Sequence, residues 1–183
     1  MTDTDSFTSA ICWVVTGAGH FLRESVGLMS RFDSVDVFMT RAAAEVAARY
    51  SVTATIGNSA RLVSVEKDYS SAPLIHFSGR KYSVLVIAPA TANTVAKCSL
   101  GIADSLASNF FAQAGKSGTP IVVLPTDVAP EASSVTPSGR TITIRPRPVD
   151  LRHTDALSEF SGVTLVRSVD DLDAAIRRFL HDE

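Results

Sequence analysis

The chain has 183 residues, 45% of them apolar, and a formal net charge of -2. That is the size and composition of one globular domain over 1–183. The near-neutral balance excludes the footprint of a nucleic-acid or membrane-surface binder. No apolar run approaches the ~20 residues of a membrane span, and the acidic, polar start is not that of a signal peptide, so the expected location is cytoplasmic.

Cys12, at the head of the chain, and Cys98 sit inside apolar segments. They suit small buried hydrophobes rather than a disulfide framework or a metal site. The run Ile11-Cys12-Trp13-Val14-Val15 predicts a strand, broken by Thr16-Gly17-Ala18-Gly19-His20. Phe21, Leu22, Val26 and Met29 then repeat at helix spacing. Strand, glycine-rich turn and helix form half of a βαβ unit. The glycines allow close approach of backbone to a ligand, or simply a tight turn. Position 22 is leucine, so the full G-x-G-x-x-G fingerprint is absent.

A second strand is predicted over 35–39 and an alanine-rich helix over 42–50. Between them, the Thr40 hydroxyl is either a helix N-cap or a phosphate contact. Residues 51–83 carry no clear period, with a turn expected at Gly57-Asn58 and His76 as a surface or capping residue.

Val84-Leu85-Val86-Ile87-Ala88 reads as a strand buried on both faces. Pro89 is expected to end it, because proline brings no backbone N–H. A helix is predicted over 94–100, stopped by Gly101. Another is expected over 102–115, with Ile102, Leu106, Phe110 and Phe111 on its buried side and Asp104 near its start, favouring the dipole. Ile121-Val122-Val123-Leu124 is a further strand, again ended by a proline, Pro125.

Residues 126–148 read as a small β excursion, with alternation at Thr141-Ile142-Thr143-Ile144. Arg140, Arg145 and Arg147 gather positive charge there, for an anionic substrate, a partner subunit or solvent. A short helix from Asp150 and a strand over 163–166 follow. Ser168-x-x-Asp171, a capping-box spacing, opens a last helix with Leu172, Ala175, Ile176 and Phe179 inward.

Alternating strands and helices imply an α/β fold: a doubly wound, Rossmann-like parallel sheet with helices on both faces. Ligand loops are then expected at 16–20, 40–41, 89–93 and 125–127. They lack the G-x-S-x-G elbow, the H-E-x-x-H helix and the P-loop lysine. Small residues, hydroxyls and backbone amides suit a flat cofactor that carries its own reactivity.

Ala88-Pro89-Ala90-Thr91-Ala92-Asn93-Thr94, followed by Lys97 and Gly101-Ile102-Ala103-Asp104, resembles the core signature of the FMN-binding, homo-oligomeric flavin-containing cysteine decarboxylase family. Thr16-Gly17-Ala18-Gly19-His20 with Leu22-Arg23-Glu24, Gly79-Arg80-Lys81-Tyr82 and Val149-Asp150 resemble one branch of it. That branch holds the archaeal-type flavoproteins and the acceptor-dependent dihydromethanopterin reductases. The resemblance covers nearly the whole chain and implies FMN as cofactor. It places Gly17, Ala18, Gly19 and His20 near the phosphate, with Thr40 offering a hydroxyl. Ala88, Pro89, Ala90, Thr91, Asn93 and Thr94 would follow the isoalloxazine and ribityl chain, and Asp104, Ser105 and Leu106 would approach from the second helix. It also implies a homo-oligomer, a trimer or an assembly of trimers, with a partner chain completing the site.

Two departures argue against decarboxylation. Phe77-Ser78-Gly79 after His76 does not match the family's histidine segment, and Pro125-Thr126-Asp127-Val128 stands where a P-x-M-N motif would. The resemblance therefore favours an FMN-dependent oxidoreductase acting on a dihydropterin such as dihydromethanopterin. Its electrons would come from a reduced nicotinamide or a ferredoxin-like protein. A flavoprotein electron carrier and a phosphopantothenoylcysteine or peptidyl-cysteine decarboxylase are the alternatives, and a flavin prenyltransferase would need a prenyl phosphate pocket.

Overall fold

The computed structural model describes residues 11–66 and 82–181. Five apolar residues make β1 (Ile11–Val15), every one of them buried. Such a run needs cover on both faces, and it has it. Trp13 and Val15 point into one core with Leu22, Met29 and Val37; Cys12 and Val14 point into the other with Phe38, Leu85 and Phe110.

The sheet continues with β2 (Val35–Met39), β3 (Arg61–Val65), β4 (Val84–Ala90), β5 (Ile121–Pro125) and β8 (Val163–Leu165). Their order is β3-β2-β1-β4-β5-β8, and every pairing is parallel. The expected doubly wound sheet is therefore present. Chain order reverses between β1 and β4, which opens a crevice at their carboxyl ends.

Helices α1 (Leu22–Met29), α2 (Arg41–Arg49), α3 (Thr53–Ser59) and α7 (Val169–His181) surround the first core or its edge. Helices α4 (Ala92–Ser99), α5 (Leu106–Ser117) and α6 (Pro148–Ser158) cover the other. Short strands β6 (Ala132–Val135) and β7 (Thr141–Ile144) pair antiparallel as the expected excursion. Tyr50 Oη donates to Val135 O at 3.0 Å, docking this hairpin on the end of α2.

Several boundaries differ from the sequence reading. Pro89 and Pro125 lie inside their strands. Pro89 brings no donor, but its carbonyl accepts from Thr16 N at 3.3 Å, so pairing continues through it. Gly57 and Asn58 are helical rather than a turn, and β3 follows them. Helix α5 begins at Leu106, not at 102, because Ser105 and Ser108 form a capping box there. Ile102 is consequently 43% exposed instead of buried. His76 and 79–81 lie outside the described residues.

Candidate functional site

The crevice between β1 and β4 is closed by a single hydroxyl. Thr16 Oγ1 donates to Pro89 O at 2.7 Å and accepts from Thr91 N at 2.9 Å. Thr16 is buried, so both bonds form away from water and hold the two loops in one register. Beneath them the Trp13 indole donates to Ala88 O at 2.8 Å. The Ala88–Pro89 bond is cis.

Above this floor lies a cleft of about 510 Å³, within the ~300–1,000 Å³ of small-molecule sites. Gly17, Thr40, Thr91, Asn93, Thr94 and Ser105, all foreseen from sequence, line it. Thr40 caps α2, accepting from Ala43 N at 3.1 Å. Thr91 caps α4, accepting from Thr94 N at 3.3 Å, and its hydroxyl meets that of Thr94 at 3.1 Å. Each hydroxyl is thus fixed by the helix it starts while facing the cleft.

The other foreseen residues lie outside this lining. Ala88, Ala90 and Leu106 are buried in the core. Pro89 contributes its carbonyl from behind, and Ala90 O accepts from Thr126 N at 2.9 Å. Asp104 turns to Lys97 Nζ at 2.7 Å; standing before α5 rather than within it, it neutralises a lysine. Ala18, Gly19 and His20 continue the loop beyond the cleft. The His20 ring stacks on Phe21 at 3.9 Å between centroids, and Phe21 holds a left-handed φ of 64°. Burial lowers the His20 pKa, against the opposing pull of Glu24 and Asp127.

Both glycines have a packing reason. A Cβ on Gly17 would stand 2.5 Å from the Ala42 Cβ. One on Gly19 would run into the Tyr50 hydroxyl. The loop therefore lies flat on the first turn and on the end of α2.

Five lining residues absent from the expected site are Thr16, Arg41, Ala42, Glu45 and Glu66. Thr16 and Arg41 stood within expected loops. Glu66 follows β3, a strand the sequence reading did not recognise, so nothing marked it as an edge position. Its carboxylate accepts from Leu106 N at 2.7 Å and from Arg41 N at 3.3 Å.

The loop after β5 is tied down. Thr126 Oγ1 donates to Asp127 Oδ2 at 2.8 Å, and Thr154 Oγ1 to Asp127 O at 2.9 Å. Of the three arginines nearby, Arg147 grips Asp150 through Nε and Nη2 at 2.9 and 2.7 Å, and Arg145 meets Glu131 at 2.9 Å. These hydrogen bonds hold the Asp150 carboxyl below its ordinary range. Burial pushes the Cys98 thiol up to about 12 and the Cys12 thiol well above its usual value, so both are neutral packing groups. No cluster of metal-ligating side chains occurs among the described residues, and no helix among them is long and apolar enough to cross a membrane.

The crystal structure of Burkholderia xenovorans DmrB in complex with FMN, described as a cubic protein cage for redox transfer, superposes with a TM-score of 0.84. It is 36% identical, covering 94% of this chain and 95% of that one. A dihydromethanopterin reductase (acceptor) of Methanocaldococcus jannaschii is 38% identical over 130 residues, 64% of this chain and 53% of the relative. The chain thus matches only about half the length of that reductase. An uncharacterized protein of the same organism is 28% identical over 93% of this chain and 95% of its own length. The Flavoprotein family model matches residues 2–179, and the chain belongs to that family.

Proposed function

We propose that the chain binds FMN in the cleft between β1 and β4 and works as a flavin-dependent oxidoreductase. The substrate is a dihydropterin of the dihydromethanopterin type, and the electrons come from a reduced nicotinamide or a ferredoxin-like protein. One observation carries the reading: a cleft of hydroxyls and backbone at the sheet's crossover, in a Flavoprotein family chain 36% identical to an FMN-bound redox protein.

The residues present fit a flavin. Where Gly17 lies against Ala42 there is no side chain to obstruct a ligand, and Thr16 fixes the Thr91 amide. In this reading Gly17, Ala18, Gly19, His20 and Thr40 attend the phosphate end. Pro89, Thr91, Asn93 and Thr94 follow the ribityl chain and ring, Ala88 and Ala90 back them, and Asp104, Ser105 and Leu106 approach from α5. Bound FMN supplies the two-electron chemistry between donor and pterin. The chain's own part is to orient, to exclude water with buried alanines, and to present fixed dipoles.

Asp127 supports an oxidoreductase over a decarboxylase. It stands, with Thr126 and Val128, where the P-x-M-N motif would, and that loop brings neither the methionine nor the asparagine of the motif. We also infer a homo-oligomer, a trimer or an assembly of trimers. Leu100 is 63% exposed beside Ile102, between the two helices that flank the cleft, and burial in a partner would cover both. Light scattering of the purified chain tests the assembly; a monomer at all concentrations removes it.

The test of function is direct. Purified protein should be yellow and release FMN on denaturation. After anaerobic reduction, dihydromethanopterin or dihydrofolate should reoxidise the flavin. Reoxidation by neither overturns the substrate, and a chain that takes up no FMN overturns the cofactor.

A further inference from the structure

Two helices start at the rim of the cleft and aim their first amides at one side chain. Arg41 opens α2 and Leu106 opens α5. Glu66 lies 25 residues from the first and 40 from the second. Its own N–H donates to Met39 O at 2.8 Å, which keeps it at the carboxyl edge beside β2. From there one carboxylate oxygen accepts from Leu106 N and the other from Arg41 N, as given above.

First-turn amides carry the positive end of the helix dipole and favour an anion. Here the protein's own carboxylate serves as that anion, while lining the cleft beside Thr16, Thr40 and Thr91. Glu45 lines the cleft too, and the Arg41 guanidinium reaches it at 3.7 Å. Two carboxylates therefore face one arginine. An entering phosphate competes for the Arg41 amide and meets like charge.

We propose that Glu66 is an internal stand-in for the phosphate of FMN, gathering α2 and α5 in the empty protein and ceding the Arg41 amide when the phosphate arrives. This rests on the FMN reading above. Glu66 then sets how tightly FMN binds relative to riboflavin, which has the same ring and ribityl chain without the phosphate.

The test is a titration of the apoprotein with FMN and, separately, with riboflavin, followed by quenching of flavin fluorescence. E66Q, of the same shape, and E66A are compared with the parent chain. FMN should bind about fivefold tighter to both variants, the scale of one charge at a helix terminus. Riboflavin affinity should stay within about twofold. Without ligand, E66A should melt a few degrees lower, because two first-turn amides lose their acceptor. Saturating FMN should narrow that gap, because the phosphate takes over the Arg41 amide.

FMN affinity unchanged or weakened in both variants overturns the proposal, as does an equal gain for riboflavin. A parent chain that binds FMN while the variants bind no tighter sinks only the role of Glu66. A parent chain that binds no FMN sinks the cofactor reading itself.

Discussion

The two ends of the sheet are held by different chemistry. Toward the amino end, Asp36 of β2 accepts from Arg61 Nε at 2.7 Å, from Arg61 Nη2 at 2.6 Å and from Tyr82 Oη at 2.9 Å. At the carboxyl end, Thr16, Pro89 and Thr91 are joined by one hydroxyl and two backbone groups. Charge locks the edge strand β3 to its neighbour at the end of the sheet away from the β1–β4 crevice. Neutral dipoles hold the floor of the crevice, and charge enters only at its rim, through Arg41, Glu45 and Glu66.

The largest test of that contrast is at the charged end. Asp36 is buried, whereas the Arg61 side chain is 62% exposed. Losing Arg61 takes a cation from a buried carboxylate that still holds the Tyr82 hydroxyl, while losing Asp36 frees an arginine that water can solvate. We expect R61A to destabilise the chain by about 3 kcal/mol and D36N by about half as much. Urea midpoints measure both, and equal losses would contradict the asymmetry.

Next in size is G19A, which forces the new methyl against Tyr50 and costs about 2 kcal/mol by overpacking. Adding Y50A should restore much of the FMN binding by removing the obstacle, although the bond to Val135 is then lost. No rescue would mean that the loop needs glycine for another reason.

Third, T16V keeps the shape and removes the hydroxyl. Pro89 O and Thr91 N lose their partner, for about 1.5 kcal/mol in melting or urea stability. FMN should be retained less well through dialysis. Unaltered stability would show that neutral bonds contribute little at the crevice.

The smallest effect is a pH dependence. Arg147 lowers the native Asp150 pKa below its ordinary 3.8. A carboxyl depressed in the folded state adds stability above that ordinary value, and the contribution fades as pH falls through the lowered one. R147Q should flatten this part of the acid limb, seen in urea midpoints taken from about pH 5 to about pH 2. A parallel acid limb in the variant would remove Arg147 as the cause.

How much of this was legible from sequence follows burial. Strands β1, β4 and β5 are apolar throughout, because helices cover both their faces, and each could be read from its run. Edge strand β3, Arg61-Leu62-Val63-Ser64-Val65, is half exposed and mixes polar with apolar residues. It offered no period, and so Glu66 beyond it stayed hidden. Gly57-Asn58 carries turn residues, yet tertiary packing of Ile56 keeps α3 helical through it. The hydroxyl caps at Thr40 and Thr91 were readable as residue types at strand ends. That Thr16 would bridge β1 to β4 was not, since that bond spans 75 residues.

The lone tryptophan of the chain turns the crossover into an optical probe. Trp13 donates its indole N–H to Ala88 and stands directly under the strand that floors the cleft. Its emission overlaps flavin absorption, so occupancy of the crevice should dim it. Any variant or ligand can then be ranked from intrinsic fluorescence, with no label attached.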